Sequence, residues 1–133
     1  MKKLIILAIC ALSMGSSAIA QTTNTVVVTN VSAERFKSIA ASEKDAVIID
    51  LRTNDEIKKG IIKGAIQMDY LAKDFDTQMA KLDKNKTYLV YCQGGGRSGD
   101  AAEYMEKQGF KRVFNLEKGF SDWVTKGFPV EKK

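Results

Sequence analysis

The chain has 133 residues, which allows one domain. Its 21 basic and 16 acidic residues give a net charge of +5, but the lysines are scattered among acids, so no nucleic-acid-binding face is expected. There is no histidine, which excludes Cys–His catalysis and removes the commonest metal ligand. With only two cysteines as well, we expect neither a metal site nor another cofactor.

The first twenty residues have the pattern of a secretory signal peptide. Lys2 and Lys3 precede a short apolar run at residues 4–14, and Ala-Ile-Ala at residues 18–20 is a small-x-small cleavage site. The apolar run is too short to span a bilayer comfortably, so no stable membrane anchor is expected. We therefore expect residues 1–20 to be removed and the protein to be exported, to the periplasm or beyond the cell.

Removal of this segment makes Cys92 the single cysteine of the mature chain. Cys10 leaves with the signal peptide, so an intramolecular disulfide is excluded. An exported protein meets an oxidising compartment, where a lone thiol is a risk unless it has a use. Cys92 is therefore the first candidate for a functional residue.

The mature chain begins with residues 21–30, which are polar and β-branched and predict a flexible lead-in or an edge strand. The domain proper is expected over residues 31–133. Ser32 is a plausible N-cap for a helix over residues 33–41. The apolar run at residues 46–49 predicts a strand covered on both faces.

Helices and strands then alternate to the end of the chain. Thr53 and Glu56 match the capping box of a short helix. The remaining expected elements are a loop and short strand over 61–68, a helix over 74–82, a strand over 88–91, a helix ending at Gly109, a strand over 113–116 and a helix over 119–126. This alternation predicts an α/β domain with a mainly parallel central sheet and helices on both faces.

One loop combines a thiol with a glycine-rich turn. It follows the strand over 88–91 and consists of Cys92, Gln93, Gly94, Gly95, Gly96, Arg97 and Ser98. Open α/β sheets usually carry their ligand sites at such strand ends. The N–H groups of a glycine-rich loop and the N-terminus of the following helix both favour an anion. The Cys92 thiol is therefore predicted to ionise more easily than a free thiol.

The Cys-x4-Arg-Ser pattern after an apolar strand resembles the active-site loop of rhodanese-like sulfurtransferases. Asp50-Leu51-Arg52 followed by Glu56 resembles the first motif of that family, although Ile61 stands where a histidine often occurs. A closing motif around Trp123 is also similar, with Lys118 in place of the usual first glycine. These similarities extend over about residues 31–130.

The resemblance implies a transferase with a rhodanese-like fold. Cys92 is the implied nucleophile, taking sulfane sulfur from a small anion such as thiosulfate and holding it as a persulfide. The implied acceptor is cyanide or a thiol, including one on a partner protein. Substrate binding is expected from Gln93 to Ser98 and from Arg52, with Asp50 as structural support. For Arg97, binding a sulfonate and pairing with a carboxylate to lock the loop remain equal alternatives.

Two other functions are consistent with the same loop. One is a non-catalytic rhodanese-like binding module, which the presence of Cys92 disfavours because inactive members of the family usually lose this cysteine. The other is a small-anion phosphatase or arsenate reductase, related proteins with five residues between cysteine and arginine. The four residues between Cys92 and Arg97, with no acid among them, favour sulfur transfer.

Overall fold

The computed structural model describes residues 25–133, so the expected signal peptide and Cys10 lie outside the described residues. Five strands form a sheet in the order β1-β6-β5-β2-β4, and every pair in it is parallel. This confirms the predicted mainly parallel sheet. The strands are β1 Val28–Val31, β2 Val47–Asp50, β4 Ile66–Gln67, β5 Thr87–Tyr91 and β6 Arg112–Leu116.

Helices cover both faces of the sheet, as predicted. Along β5 the side chains alternate between faces: Tyr88 and Val90 lie in one buried cluster, and Leu89 and Tyr91 lie in the other. The first cluster packs against α3 and α4, and the second against α1 and α5. The helices are α1 Ala33–Ser42, α2 Asn54–Ile57, α3 Phe75–Ala80, α4 Gly96–Lys107 and α5 Gly119–Thr125. Within residues 25–133 no helix has the length and apolar character needed to cross a membrane.

Local sequence signals set several of these boundaries. The Ser32 side chain accepts a hydrogen bond from the backbone N–H of Arg35 and caps α1. Thr53 and Glu56 form both halves of the capping box of α2. Of the two alternatives for residues 21–30, residues 28–30 take the second and form an edge strand with Val31.

A second, two-stranded sheet was not predicted in full. Strand β3, Ile61–Ile62, pairs antiparallel with β7, Val130–Glu131. Each of these strands has only two residues, too few for a periodic pattern to indicate it. The pairing joins the segment after α2 to the end of the described chain.

The sheet brings the sequence-predicted site residues to one edge. In the register of β2 and β5, Asp50 lies opposite Tyr91, and Cys92 follows directly. Arg52 follows β2 in the same way. The carboxyl ends of two neighbouring parallel strands therefore meet beneath the glycine-rich loop.

Candidate active site

Cys92 lies under the loop with its sulfur surrounded by hydrogen-bond donors. Its Sγ atom accepts from the N–H of Gly95 at 3.1 Å and from the N–H of Ser98 at 3.4 Å. The Ser98 hydroxyl is also 3.4 Å from Sγ, and 3.2 Å from the carbonyl oxygen of Gly95. Cys92 itself is only 1% exposed. The loop and the first turn of α4 therefore converge on a single sulfur atom.

This arrangement favours the thiolate form of Cys92. Burial opposes ionisation, but hydrogen bonds from the Ser98 hydroxyl and from the N–H groups of Ser98, Gly94 and Gly95 outweigh it. The pKa of the Cys92 thiol is accordingly lowered from its ordinary value. The pKa shift has the direction that the sequence predicted, and a nucleophilic thiol requires this direction.

The segment after β6 and the first turn of α5 hold the loop from the other side. The N–H of Phe120 donates to the Cys92 carbonyl at 2.8 Å, and the N–H of Ser121 donates to the Gln93 carbonyl at 3.1 Å. Gly95 has a φ of +98°, and a Cβ atom there would overlap the carbonyl oxygen of Glu117. A Cβ on Gly119 would likewise overlap the backbone of Gln93. The sequence analysis did not identify this second support.

Arg97 is paired with a carboxylate. Its two terminal nitrogens donate to the two carboxylate oxygens of Glu56 at 2.9 and 2.7 Å, a bidentate pair. Glu56 also accepts from the backbone N–H of Thr53 at 2.9 Å as part of its capping box. Of the two predicted roles for Arg97, the structure shows the pairing with a carboxylate. The pair holds the start of α4 against α2.

The Arg97–Glu56 pair gives a testable pH dependence. The hydrogen bond from Arg97, helped by the bonds from Thr53, lowers the pKa of Glu56 from 4.5 to about 2 despite partial burial. A depressed carboxylate pKa stabilises the fold above pH 4.5, and this stabilisation is lost as the pH falls toward 2. Because both side chains are partly exposed, water screens the pair, and we expect it to contribute about 1 kcal/mol.

Glu56→Gln should therefore lower the free energy of unfolding by about 1 kcal/mol at neutral pH, since glutamine keeps the capping geometry but not the charge. The difference from wild type should shrink between pH 4.5 and 2, as measured by urea unfolding. Asp55→Asn is the matched control, because Asp55 pairs only with Lys58 and both are exposed. Equal pH profiles for the two variants would contradict the assignment.

Arg52 and Asp50 form a buried pair below the loop. Arg52 donates through Nη2 to Asp50 at 2.7 Å and to the Gly60 carbonyl at 2.7 Å, and through Nη1 to the Gln93 side chain at 3.3 Å. Its guanidinium carbon lies 3.8 Å from the centre of the Phe120 ring. These contacts agree with structural support by Asp50. Substrate binding by Arg52 stays a prediction.

An open cleft of about 570 Å³ lies beside the loop. Gln93, the residue after Cys92, is part of the cleft lining. A molecule bound in the cleft would therefore lie next to the Cys92 loop. The other lining residues come from the segment after β2 and from α5. The sequence did not indicate that these two segments lie side by side. The residues that line the cleft are Arg52, Glu56, Lys59, Gln93, Phe120, Ser121 and Val124.

Comparisons with known proteins agree with this geometry. The model of the rhodanese-like domain family matches residues 32–126. A protein named sulfurtransferase from Allochromatium vinosum is 31% identical over 104 residues, which cover 78% of this chain and 95% of that protein. Thiosulfate sulfurtransferase GlpE of Coxiella burnetii is 37% identical over 81 residues, covering 61% of this chain and 74% of the relative.

Solved structures show the same fold. The polysulfide-sulfur transferase homodimer of Wolinella succinogenes superposes with a TM-score of 0.67 at 26% identity, covering 80% of each chain. A rhodanese-like domain protein from Staphylococcus aureus superposes with a TM-score of 0.67 at 27% identity, covering 79% of this chain and 98% of that one.

Proposed function

Because the chain belongs to the rhodanese-like domain family, we propose that it is a sulfurtransferase that moves sulfane sulfur through a persulfide on Cys92. The donor is thiosulfate or a similar small sulfur-containing anion, and the acceptor is a thiol or cyanide. The observation that carries this proposal is the ring of donors from Gly95 and Ser98 around the Cys92 sulfur. Relatives named as sulfurtransferases support the same reaction class.

In the first half of the cycle, the Cys92 thiolate attacks the outer sulfur of thiosulfate. A new S–S bond forms to Sγ, the S–S bond of the donor breaks, and its electron pair leaves with sulfite. Cys92 then carries a persulfide with one negative charge. The N–H groups of Gly95 and Ser98 already point at Sγ, so they stabilise the attacking thiolate, and the thiolate that re-forms in the second half, without reorganisation.

In the second half, an acceptor removes the outer sulfur. Cyanide attacks it through carbon, a C–S bond forms, and the persulfide S–S bond breaks. The electron pair of that bond returns to Sγ, which regenerates the thiolate as thiocyanate leaves. No cofactor enters either step, since the cysteine alone carries the transferred atom.

The carboxylates near the loop favour sulfur transfer over phosphatase chemistry. Glu56 is held by Arg97, and Asp50 is held by Arg52. Neither lies within the loop, where an acid could protonate the leaving group of a phosphatase. The persulfide cycle described above needs no such acid.

Mass spectrometry of the intact protein tests the proposal. Treatment with thiosulfate should add the mass of one sulfur atom, and cyanide should then remove it with release of thiocyanate. A protein that gains no sulfur from thiosulfate or from a polysulfide would overturn the proposal. In that case the non-catalytic binding module would take its place.

We also propose that the protein is exported to the periplasm or beyond the cell. The basic start, short apolar run and small-residue cleavage site of residues 1–20 support this location. N-terminal sequencing of protein from the producing cell should begin at Gln21. A chain that retains Met1 in the cytosol would contradict it.

A further inference from the structure

The cleft beside the loop contains one cation whose charge is not already neutralised. Arg52 is paired with Asp50, and Glu56 in the cleft wall is paired with Arg97. Lys59 lines the same cleft and is exposed, and its side chain forms neither a hydrogen bond nor an ion pair with any residue in the described chain, 25–133. Its ammonium group is therefore available to bind an anionic group on a ligand.

One part of the cleft wall is apolar. Val124 on α5 is 49% exposed there, and Phe120 lies beside it with its ring against Arg52. Gln93 belongs to both the Cys92 loop and the cleft lining, and its side-chain oxygen accepts from Arg52. The apolar wall can thus bind the carbon atoms of a ligand. Thiosulfate and cyanide would gain little binding energy from this surface, because they have little apolar area to bury.

The size of the cleft also suggests an organic ligand. Pockets of roughly 300–1,000 Å³ are typical of sites for organic molecules. At about 570 Å³ the cleft is within that range. A ligand could therefore place an anionic group near Lys59 and a carbon body on Val124 within the same cleft.

On the basis of the sulfurtransferase function above, we propose that the acceptor is a small organic thiol bearing a carboxylate. Lys59 binds the carboxylate, and the carbon body lies against Val124 and Phe120. The thiol then enters beside Gln93 and reaches the persulfide on Cys92. Lys59 and Val124 are in this way specificity-determining residues for the second half of the cycle.

The transfer to such an acceptor balances without another reagent. The thiol loses its proton to solvent, and its thiolate attacks the outer sulfur of the Cys92 persulfide. An S–S bond forms in the acceptor while the persulfide S–S bond breaks, and its electron pair returns to Sγ. The products are an organic persulfide and the free Cys92 thiolate.

Acceptor selectivity in charge variants tests this assignment. The probes are mercaptopropionate, mercaptoethanol and cysteamine, which are anionic, neutral and cationic thiols of similar size. For each protein we would measure kcat/KM for mercaptopropionate divided by kcat/KM for mercaptoethanol. Comparing this ratio between variants cancels the intrinsic reactivity of each thiol.

Lys59→Gln should lower that ratio roughly fivefold, the effect of one partly exposed ion pair. Lys59→Glu should lower it further, and should raise kcat/KM for cysteamine relative to mercaptoethanol above the wild-type value. Lys58→Gln is the matched control, because it removes the same charge from the neighbouring residue, whose partner is Asp55. Its ratio should equal that of the wild type.

Two results separate this inference from the proposed function. If the wild type forms thiocyanate from thiosulfate and cyanide, but the ratio is the same in Lys59→Glu and Lys58→Gln, the acceptor assignment is wrong and sulfur transfer stands. If the wild type forms no thiocyanate and accepts no sulfur, the proposed function itself fails. Transfer to a protein thiol alone, with none to the three small thiols, would also overturn the acceptor assignment.

Discussion

Cys92→Ser is expected to abolish sulfur transfer while the protein stays folded. A serine hydroxyl is a poor nucleophile at neutral pH and cannot hold a sulfane sulfur, so both halves of the cycle lose their carrier. We expect thiocyanate formation to fall on the order of 10³-fold or more, as when an enzyme loses its nucleophile. The hydroxyl can still accept from Gly95 and Ser98, so the loop should keep its shape.

Cys92→Ala provides the control for this variant. It removes the acceptor atom as well as the nucleophile, yet the Cys92 carbonyl still accepts from Phe120, so this anchor of the loop is kept. Thermal unfolding should place both variants near the wild type, and neither should gain the mass of a sulfur atom from thiosulfate. Thiocyanate production by Cys92→Ser at the wild-type rate would show that another group carries the sulfur.

Gly95→Ala is expected to disrupt the site by distorting its backbone. The φ of +98° at this residue is unfavourable for alanine, and the new Cβ would overlap the Glu117 carbonyl. We expect a loss of at least about 2 kcal/mol in the free energy of unfolding, since the left-handed conformation and the overlap both have a cost. Sulfur transfer should fall as well, because the Gly95 N–H would move away from Sγ.

The neighbouring glycines provide matched controls for stability. A Cβ on Gly94 or on Gly96 would have no atom within 4 Å, and neither residue has a positive φ. Urea unfolding should therefore give nearly wild-type stability for Gly94→Ala and Gly96→Ala. Equal destabilisation of all three variants would mean that the loop needs glycine for general flexibility and not for one close approach.

Much of the fold could be predicted because its signals are local. The Ser32 cap and the Thr53–Glu56 capping box lie within three residues of the groups that they bond, so the sequence shows them directly. The buried strands β2 and β5 are continuous apolar runs, as expected for a parallel sheet covered on both faces. The position of Cys92 at a strand end followed from the same pattern.

The parts of the site that could not be predicted depend on distant residues. Glu56 and Arg97 are 41 positions apart, and nothing in either local pattern indicates that they meet. Gly119 contacts the Gln93 backbone only because β6 lies beside β5 in the sheet. The proposed role of Lys59 could not be predicted from the sequence either. It depends on the lysine side chain having no carboxylate partner in the folded, described domain, which no local pattern indicates.

The burial of the Cys92 sulfur also determines which atom a reagent can reach. Sγ is covered by the loop, whereas the second sulfur of a persulfide extends about 2 Å farther along the S–S bond. An incoming thiolate therefore meets the outer sulfur first and is shielded from the inner one. Attack on the inner atom would leave a mixed disulfide and stop the cycle. In the proposed cycle the loop would thus impose regiochemistry on the exchange, which a thiol on an open surface could not do.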